Sequence, residues 1–167
     1  MTDSAFSFLR QLHPYDALPD GVFRALRREA MFRTYPAGAP IYALGEDLDG
    51  LYVIESGQVV VHDENGHQIS QLSRENSFGE RGLLKNGRAV TSAHAQKDAR
   101  LICIPPGLFH KLRADYEPFR RFFDRSGKAE AKDALSDFDL TRVQVETLMV
   151  ANPVTCAPTM TIKDAAQ

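Results

Sequence analysis

Apolar residues recur every three positions at the start of the chain, at Phe6, Leu9 and Leu12, and share a face again at Phe23, Leu26 and Ala30 after Pro19-Asp20. Such spacing places side chains on one helical face, and a Pro-Asp pair suits a helix start, so the chain is expected to open with helices. From Met31 the pattern changes to short runs of β type, broken by Ala37-Gly38-Ala39-Pro40, Gly45-Glu46-Asp47, Glu55-Ser56-Gly57 and Glu64-Asn65-Gly66. Turn clusters about every ten residues are the rhythm of an antiparallel sandwich or barrel.

Asn65-Gly66 predicts a tight type I′ hairpin, which needs positive φ at both central residues, joining residues 58–62 to residues 67–72. Strand patterning pauses at residues 77–88, resumes at 89–95 and 99–104, and ends at Pro105-Pro106. Pro106 and Pro118 each suit the first turn of a helix, where a missing N–H is harmless. Leu108, Phe109 and Leu112 give the first of these helices an apolar face, and Phe119, Phe122 and Phe123 give the second one. Residues 128–135 are compatible with that second helix continuing outward. The expected architecture is mainly β with flanking helices: an antiparallel double-stranded β-helix, or β-roll of the jelly-roll kind, with helices before and after it.

Composition narrows the field. The chain has 167 residues, 43% hydrophobic and 25% charged, which suits one globular core plus an appendage. Its longest apolar runs, such as Leu101-Ile102-Cys103-Ile104, are strand-sized, whereas a membrane helix takes about 20 residues. Met1-Thr2-Asp3-Ser4-Ala5 has no basic stretch ahead of an apolar one, so the cytoplasm is the expected compartment. Cys103 and Cys156 read as reduced thiols. A net charge of −2 argues against nucleic acid as a partner, and Arg24, Arg27 and Arg28, like Arg120, Arg121 and Arg125, read as solvated helix faces.

The pause in the sheet carries the candidate chemistry: Phe78-Gly79-Glu80-Arg81-Gly82-Leu83-Leu84, then Arg88-Ala89-Val90-Thr91. Two glycines let backbone approach a ligand closely, and the amides opening a short helix favour an anion. Glu80 offers an acceptor for a sugar hydroxyl, and Arg88 a charge-assisted contact for a phosphate. The plainer reading is a surface loop whose Glu and Arg form an exposed ion pair, contributing at most about 1 kcal/mol.

These residues resemble the phosphate-binding cassette of cyclic-nucleotide-binding domains. The resemblance runs upstream through Ala37-Gly38, Ile41-Tyr42, Gly45-Glu46, Leu51-Tyr52-Val53-Ile54, Gly57 and Asn65-Gly66, and covers about residues 8–123. It implies that Phe78 and Gly79 lead into the site, that Glu80 binds the ribose 2′-hydroxyl and that Arg88 neutralises the cyclic phosphate. The amides of Gly82, Leu83, Ala89 and Val90 would complete the cradle. It also implies a C-terminal helix closing over the base, with Phe119, Phe122 or Phe123 as lid, although ordinary core packing is the default for such a stripe. Ala89 after the Arg resembles cassettes of the cAMP type rather than the cGMP type.

Beyond residue 135 a linker is expected at 136–142. Residues 143–167, with Val145, Leu148, Met149, Asn152-Pro153 and Thr161-Ile162, resemble the truncated start of a CBS domain. Together the two units are similar to bacterial signalling proteins that continue into CBS domains and a nucleotidyltransferase-like region, which would lie beyond Gln167. The expectation is therefore a sensor without catalytic residues, cofactor or metal. It would bind a cyclic mononucleotide, relay to downstream CBS domains, and dimerise through the C-terminal helix.

Three alternatives stand beside it. One is a degenerate roll serving as a dimerisation or docking scaffold, favoured by the eight positions from Glu80 to Arg88 and by Glu75-Asn76 where the family carries Gly-Asp. The second is a transcription regulator. The third is a metal-dependent cupin enzyme, but His13, His62, His67, His94 and His110 include no close His-x-His pair.

Overall fold

The computed structural model describes residues 2–125. The readings for the helix extension at 128–135, the linker at 136–142, the CBS-like unit at 143–167 and Cys156 lie outside the described residues.

Helix α1 (Thr2–Gln11) buries Phe6 and Leu9, a single 3-10 turn follows at Tyr15–Ala17, and Pro19 caps α2 (Asp20–Glu29), which buries Leu26. Arg24, Arg27 and Arg28 face outward from α2. Six strands among the described residues form the sheet: β1 (Met31–Tyr35), β2 (Pro40–Tyr42), β3 (Leu51–His62), β4 (Gln68–Ser73), β5 (Ser77–Phe78) and β6 (Ser92–Ile104). They pair antiparallel in the order β1-β6-β3-β4, with β2 also on β6 and β5 also on β3. The expected antiparallel β-roll with flanking helices is what the chain forms.

β3 and β6 run beside each other for most of their length. Their register shifts three times between Ile54 and Val59, and such bulges bend a ribbon. Gly57 sits in this irregular stretch at φ 97°, where a Cβ would lie 2.3 Å from the Asp98 carbonyl oxygen, so no larger residue fits. The turn expected at Glu55-Ser56-Gly57 is therefore a bulged bend inside one strand. The two strands expected at 89–95 and 99–104 are likewise one strand starting at Ser92.

Either side of the bend the ribbon differs. Leu51 through Ile54 pair with Ile104 through Leu101, and all eight side chains are buried, so both faces of this half are covered. In the other half Val59, Val61, Ala93 and Ala95 join the core while His62 and His94 sit half-buried on the opposite face. The hairpin beyond it is not type I′. Asn65 has no positive φ; Gly66 does, at 81°, and its N–H donates to the Asp63 carbonyl at 3.2 Å, giving a turn followed by a left-handed glycine. The Asp63 carboxylate selects this form by accepting from the N–H groups of His67 and Asn65 at 2.8 and 2.9 Å. Those bonds, led by that from His67, hold its carboxyl below the usual range.

Helix α4 (Pro106–Asp115) has Pro106 in its first turn and buries Leu108, Phe109 and Leu112. A closing helical segment is described over residues 117–125. Phe109, Phe119 and Phe123 meet one another with ring centres 4.9 to 6.0 Å apart. Each fully buried phenyl ring contributes about 1.5–3 kcal/mol, so this cluster is the main anchor of the helices. Among the described residues no helix is long and apolar enough to cross a membrane.

Candidate functional site

The cassette begins where β5 pairs Phe78 with Tyr52 of β3. The two rings stack at 5.2 Å with only 17° between planes, and Tyr42 leans on both at 5.9 and 6.0 Å. Phe78 thereby pins the entry of the loop to the sheet. Gly79 then takes φ 92°, a left-handed turn that glycine adopts without strain, and swings the chain into α3 (Glu80–Lys85). Glu80 opens that helix with 6% of its surface exposed, the one charged side chain among the described residues that is buried.

The far end of α3 closes on itself. Asn86 and Gly87 both donate their N–H groups to the Gly82 carbonyl, at 3.1 and 2.8 Å, and Gly87 adopts φ 80° as a helix-ending glycine does. The chain next runs past the loop before β3. Leu48 donates to Gly87 O at 2.9 Å, Ala89 to Glu46 O at 2.8 Å, and Gly45 to Ala89 O at 2.8 Å, so Asp47 and Arg88 stand opposite each other in a bridge. Gly82 locks the two parts together: a Cβ there would lie 2.3 Å from the Arg88 carbonyl oxygen and 2.6 Å from Leu48 Cδ1. This close approach places Arg88 against the helix that carries Glu80.

Arg88 itself points out. Its side chain is 62% exposed and its Nε lies 3.2 Å from Asp47 Oδ1, an acceptor still more exposed. Such a pair contributes at most about 1 kcal/mol, so an anion with better geometry can take the guanidinium over. The site thus offers a buried carboxylate and an exposed, weakly held guanidinium on one compact turn, a combination suited to a ligand with both hydroxyl and anionic groups.

The structure gathers Phe78, Gly79, Glu80, Gly82, Leu83, Arg88, Ala89 and Val90 into this one unit. The amides differ in what they are doing. Leu83 N–H bonds back to Gly79 O at 3.3 Å and Ala89 N–H is held by Glu46 O, whereas Gly82 lies in the first turn of α3, where no helical acceptor precedes it. Phe119 and Phe123 sit in the core of the helical cluster, and Phe122 lies edge-on to His13 at 5.6 Å. They are packing residues in this arrangement.

Two neighbours of the site carry no signal in the sequence itself. Asp47 belongs to a turn cluster whose partner lies 41 positions further along, and Tyr15 looks like one more apolar residue between helices. Tyr15 is fully buried, and burial, with a smaller push from the Glu80 carboxylate, drives its phenol well above the ordinary value. Elsewhere, burial pushes the Cys103 thiol up to about 11, which keeps it protonated and unreactive. His62 and His94 meet edge to face at 5.7 Å, and among the described residues no third His, Cys, Asp or Glu joins them in a metal-sized group. Cavities of about 450 and 410 Å³ lie among the helices, the first against Val22, Ala25, Leu108 and Leu112, the second against Phe6, Arg10 and Arg27.

A bent antiparallel roll that suspends a Gly-Glu turn and an Arg from its longest strands defines a class of ligand-binding module. The chain belongs to the cyclic nucleotide-binding domain family, whose model matches residues 32–116, just over half of the sequence. Among solved structures, the regulatory domain of Toxoplasma gondii protein kinase A is similar at a TM-score of 0.67 and 18% identity, over 77% of this chain and 50% of its own. The Thermus thermophilus catabolite activator protein matches at 0.64 and 23% identity, over 76% and 62%. The regulatory subunit of a cAMP-independent protein kinase A from Trypanosoma brucei matches at 0.68 and 18%, over 83% and 52%. The chain thus spans about half to three-fifths of these three proteins, and at such identities the likeness is one of fold.

Proposed function

We propose that this chain is a regulatory sensor that binds a cyclic mononucleotide between Glu80 and Arg88 and prefers cAMP to cGMP. The observation that carries the reading is the division of labour in the cassette: Glu80 is buried at the start of α3, while Arg88 is exposed and only lightly held by Asp47. Glu80 would accept a hydrogen bond from the ribose 2′-hydroxyl. Arg88 would leave Asp47 for the cyclic phosphate, a charge-assisted contact stronger than the exposed ion pair it replaces. The first-turn amide of Gly82 supports the phosphate as well. Leu83 and Ala89 would contribute amides only after giving up their present backbone acceptors.

The cAMP preference rests on Ala89 beside the Arg and on the similar Toxoplasma regulatory domain, which was crystallised with cAMP. In the same reading, ligand binding favours one arrangement of the closing helices and passes the change to CBS domains, with a second copy paired through the C-terminal helix. A ligand shifts such an equilibrium only by its difference in affinity for the two states. The domain limits belonging to this reading are residues 1–135 for the sensor, 136–142 for the linker and 143–167 for the start of the CBS unit. The protein acts in the cytoplasm and contributes no catalytic step itself.

A second reading, a roll that keeps the shape without the ligand, has two observations in its favour. The Ala89 amide is already satisfied by Glu46, and the Trypanosoma relative is the regulatory subunit of a protein kinase A described as cAMP-independent. Calorimetric titration of cAMP and cGMP into the wild-type chain and an Arg88→Ala variant separates the two. Saturable heat, with the tighter binding for cAMP and a weakening of about tenfold or more in the variant, is expected from the loss of a charged hydrogen bond. Absence of heat with either nucleotide at millimolar concentration supports the scaffold.

A further inference from the structure

Asp47 meets Arg88 through its side chain, and the backbone fixes it in that place. An isolated antiparallel bridge sets the two residues opposite each other, flanked by the bonds from Leu48 N–H to Gly87 O at 2.9 Å and from Ala89 N–H to Glu46 O at 2.8 Å. Residues paired in this way keep their Cα atoms about 5 Å apart, whatever their side chains do. The Asp47 carboxylate lies 3.2 Å from Arg88 Nε, and both ends of the pair are exposed. A phosphate that takes over Arg88 therefore displaces this carboxylate without removing it. An aspartate side chain is short, so its charge stays within the screening length of about 8 Å at physiological salt.

We propose that Asp47 is a specificity-determining residue, a charge filter by which the cassette admits the singly charged cyclic phosphate diester and turns away doubly charged phosphate monoesters such as 5′-AMP. This rests on the reading of Glu80 and Arg88 given above. Base and ribose 2′-hydroxyl are common to both nucleotides, so a Glu80 that reads the hydroxyl cannot separate them. The phosphates differ by one charge, since a monoester loses its second proton above a pH of about 6. Either ligand has to win Arg88 from Asp47, and the monoester then holds its extra charge beside the displaced carboxylate. Like charges at an exposed site repel by an amount comparable to the attraction in an exposed ion pair.

The test is calorimetric titration of cAMP and 5′-AMP into the whole chain, wild type and Asp47→Asn. Asparagine keeps the shape of the side chain and removes its charge, and thermal unfolding checks that the variant folds. Relief of competition should tighten cAMP by about two- to fivefold, and 5′-AMP should gain about a further two- to fivefold, so the preference for cAMP narrows by that second factor. At about pH 5, where the monoester is mostly singly charged, the two gains should become equal. Equal gains at neutral pH, no gain for either nucleotide, or weaker cAMP binding overturns the proposal; the last result would make Asp47 an aid to Arg88 rather than its rival. Each of those results requires cAMP to bind, so it sinks the filter and leaves the proposed function intact. Absence of cAMP heat from both proteins sinks the function, and the filter with it.

Discussion

The half-strands 51–54 and 101–104 and the cassette at 77–91 sit side by side on the same sheet but are held by different forces. The half-strands are covered on both faces, and their eight buried side chains make them part of the core. The cassette anchors Phe78, Leu83 and Ala89 in the core, but its shape comes from left-handed glycines, a Gly82 contact with no room for a methyl group, and three backbone bonds to residues 45–48. A rigid, greasy base supports a polar turn whose exposed charge is free to change partners. That is the arrangement expected of a sensor, where stability and recognition reside in separate residues.

The comparison implies that substitutions on the two sides separate stability from affinity. Phe109→Ala, in the aromatic cluster over the base, should lower stability by about 3–5 kcal/mol in urea unfolding. Gly82→Ala forces a methyl group into the Arg88 carbonyl and should cost about 1–3 kcal/mol while abolishing most nucleotide heat, since α3 and Arg88 can no longer meet. If Gly82→Ala bound cAMP like the wild type, the contact would be incidental to the site. Glu75→Gly should act in the other direction. Glu75 is the non-glycine residue with positive φ among those described, at 78°, so glycine relieves strain there and should raise stability by up to about 1 kcal/mol. An unchanged or lower melting temperature would mean that the turn into β5 is not strained.

The two regions were unequally legible in the sequence. Leu51-Tyr52-Val53-Ile54 and Leu101-Ile102-Cys103-Ile104 are continuous apolar runs, the mark of strands buried on both faces, and the Pro-led helices with their Phe stripe fell where expected. Local rules failed where long-range contacts decide. Gly57 looked like a turn and is part of a bend, because its neighbour at 2.3 Å comes from Asp98 on another strand. Asn65-Gly66 looked like a type I′ turn, and the Asp63 side chain selects another form. Ala89 looked like the start of a strand, but its backbone is committed to residues 45 and 46. The cassette residues were readable through their resemblance to a family, whereas Asp47 reaches Arg88 only through the fold and left no local mark.

The central claim is that the turn from Glu80 to Val90 is where a nucleotide binds. The most direct test is to follow the backbone amide NMR signals of the isotope-labelled chain as cAMP is added. The account predicts that the largest shifts fall on residues 79–83 and 88–90, with smaller ones at 45–48. Shifts centred on the groove between α2 and α4, or no shifts at millimolar cAMP, would contradict it.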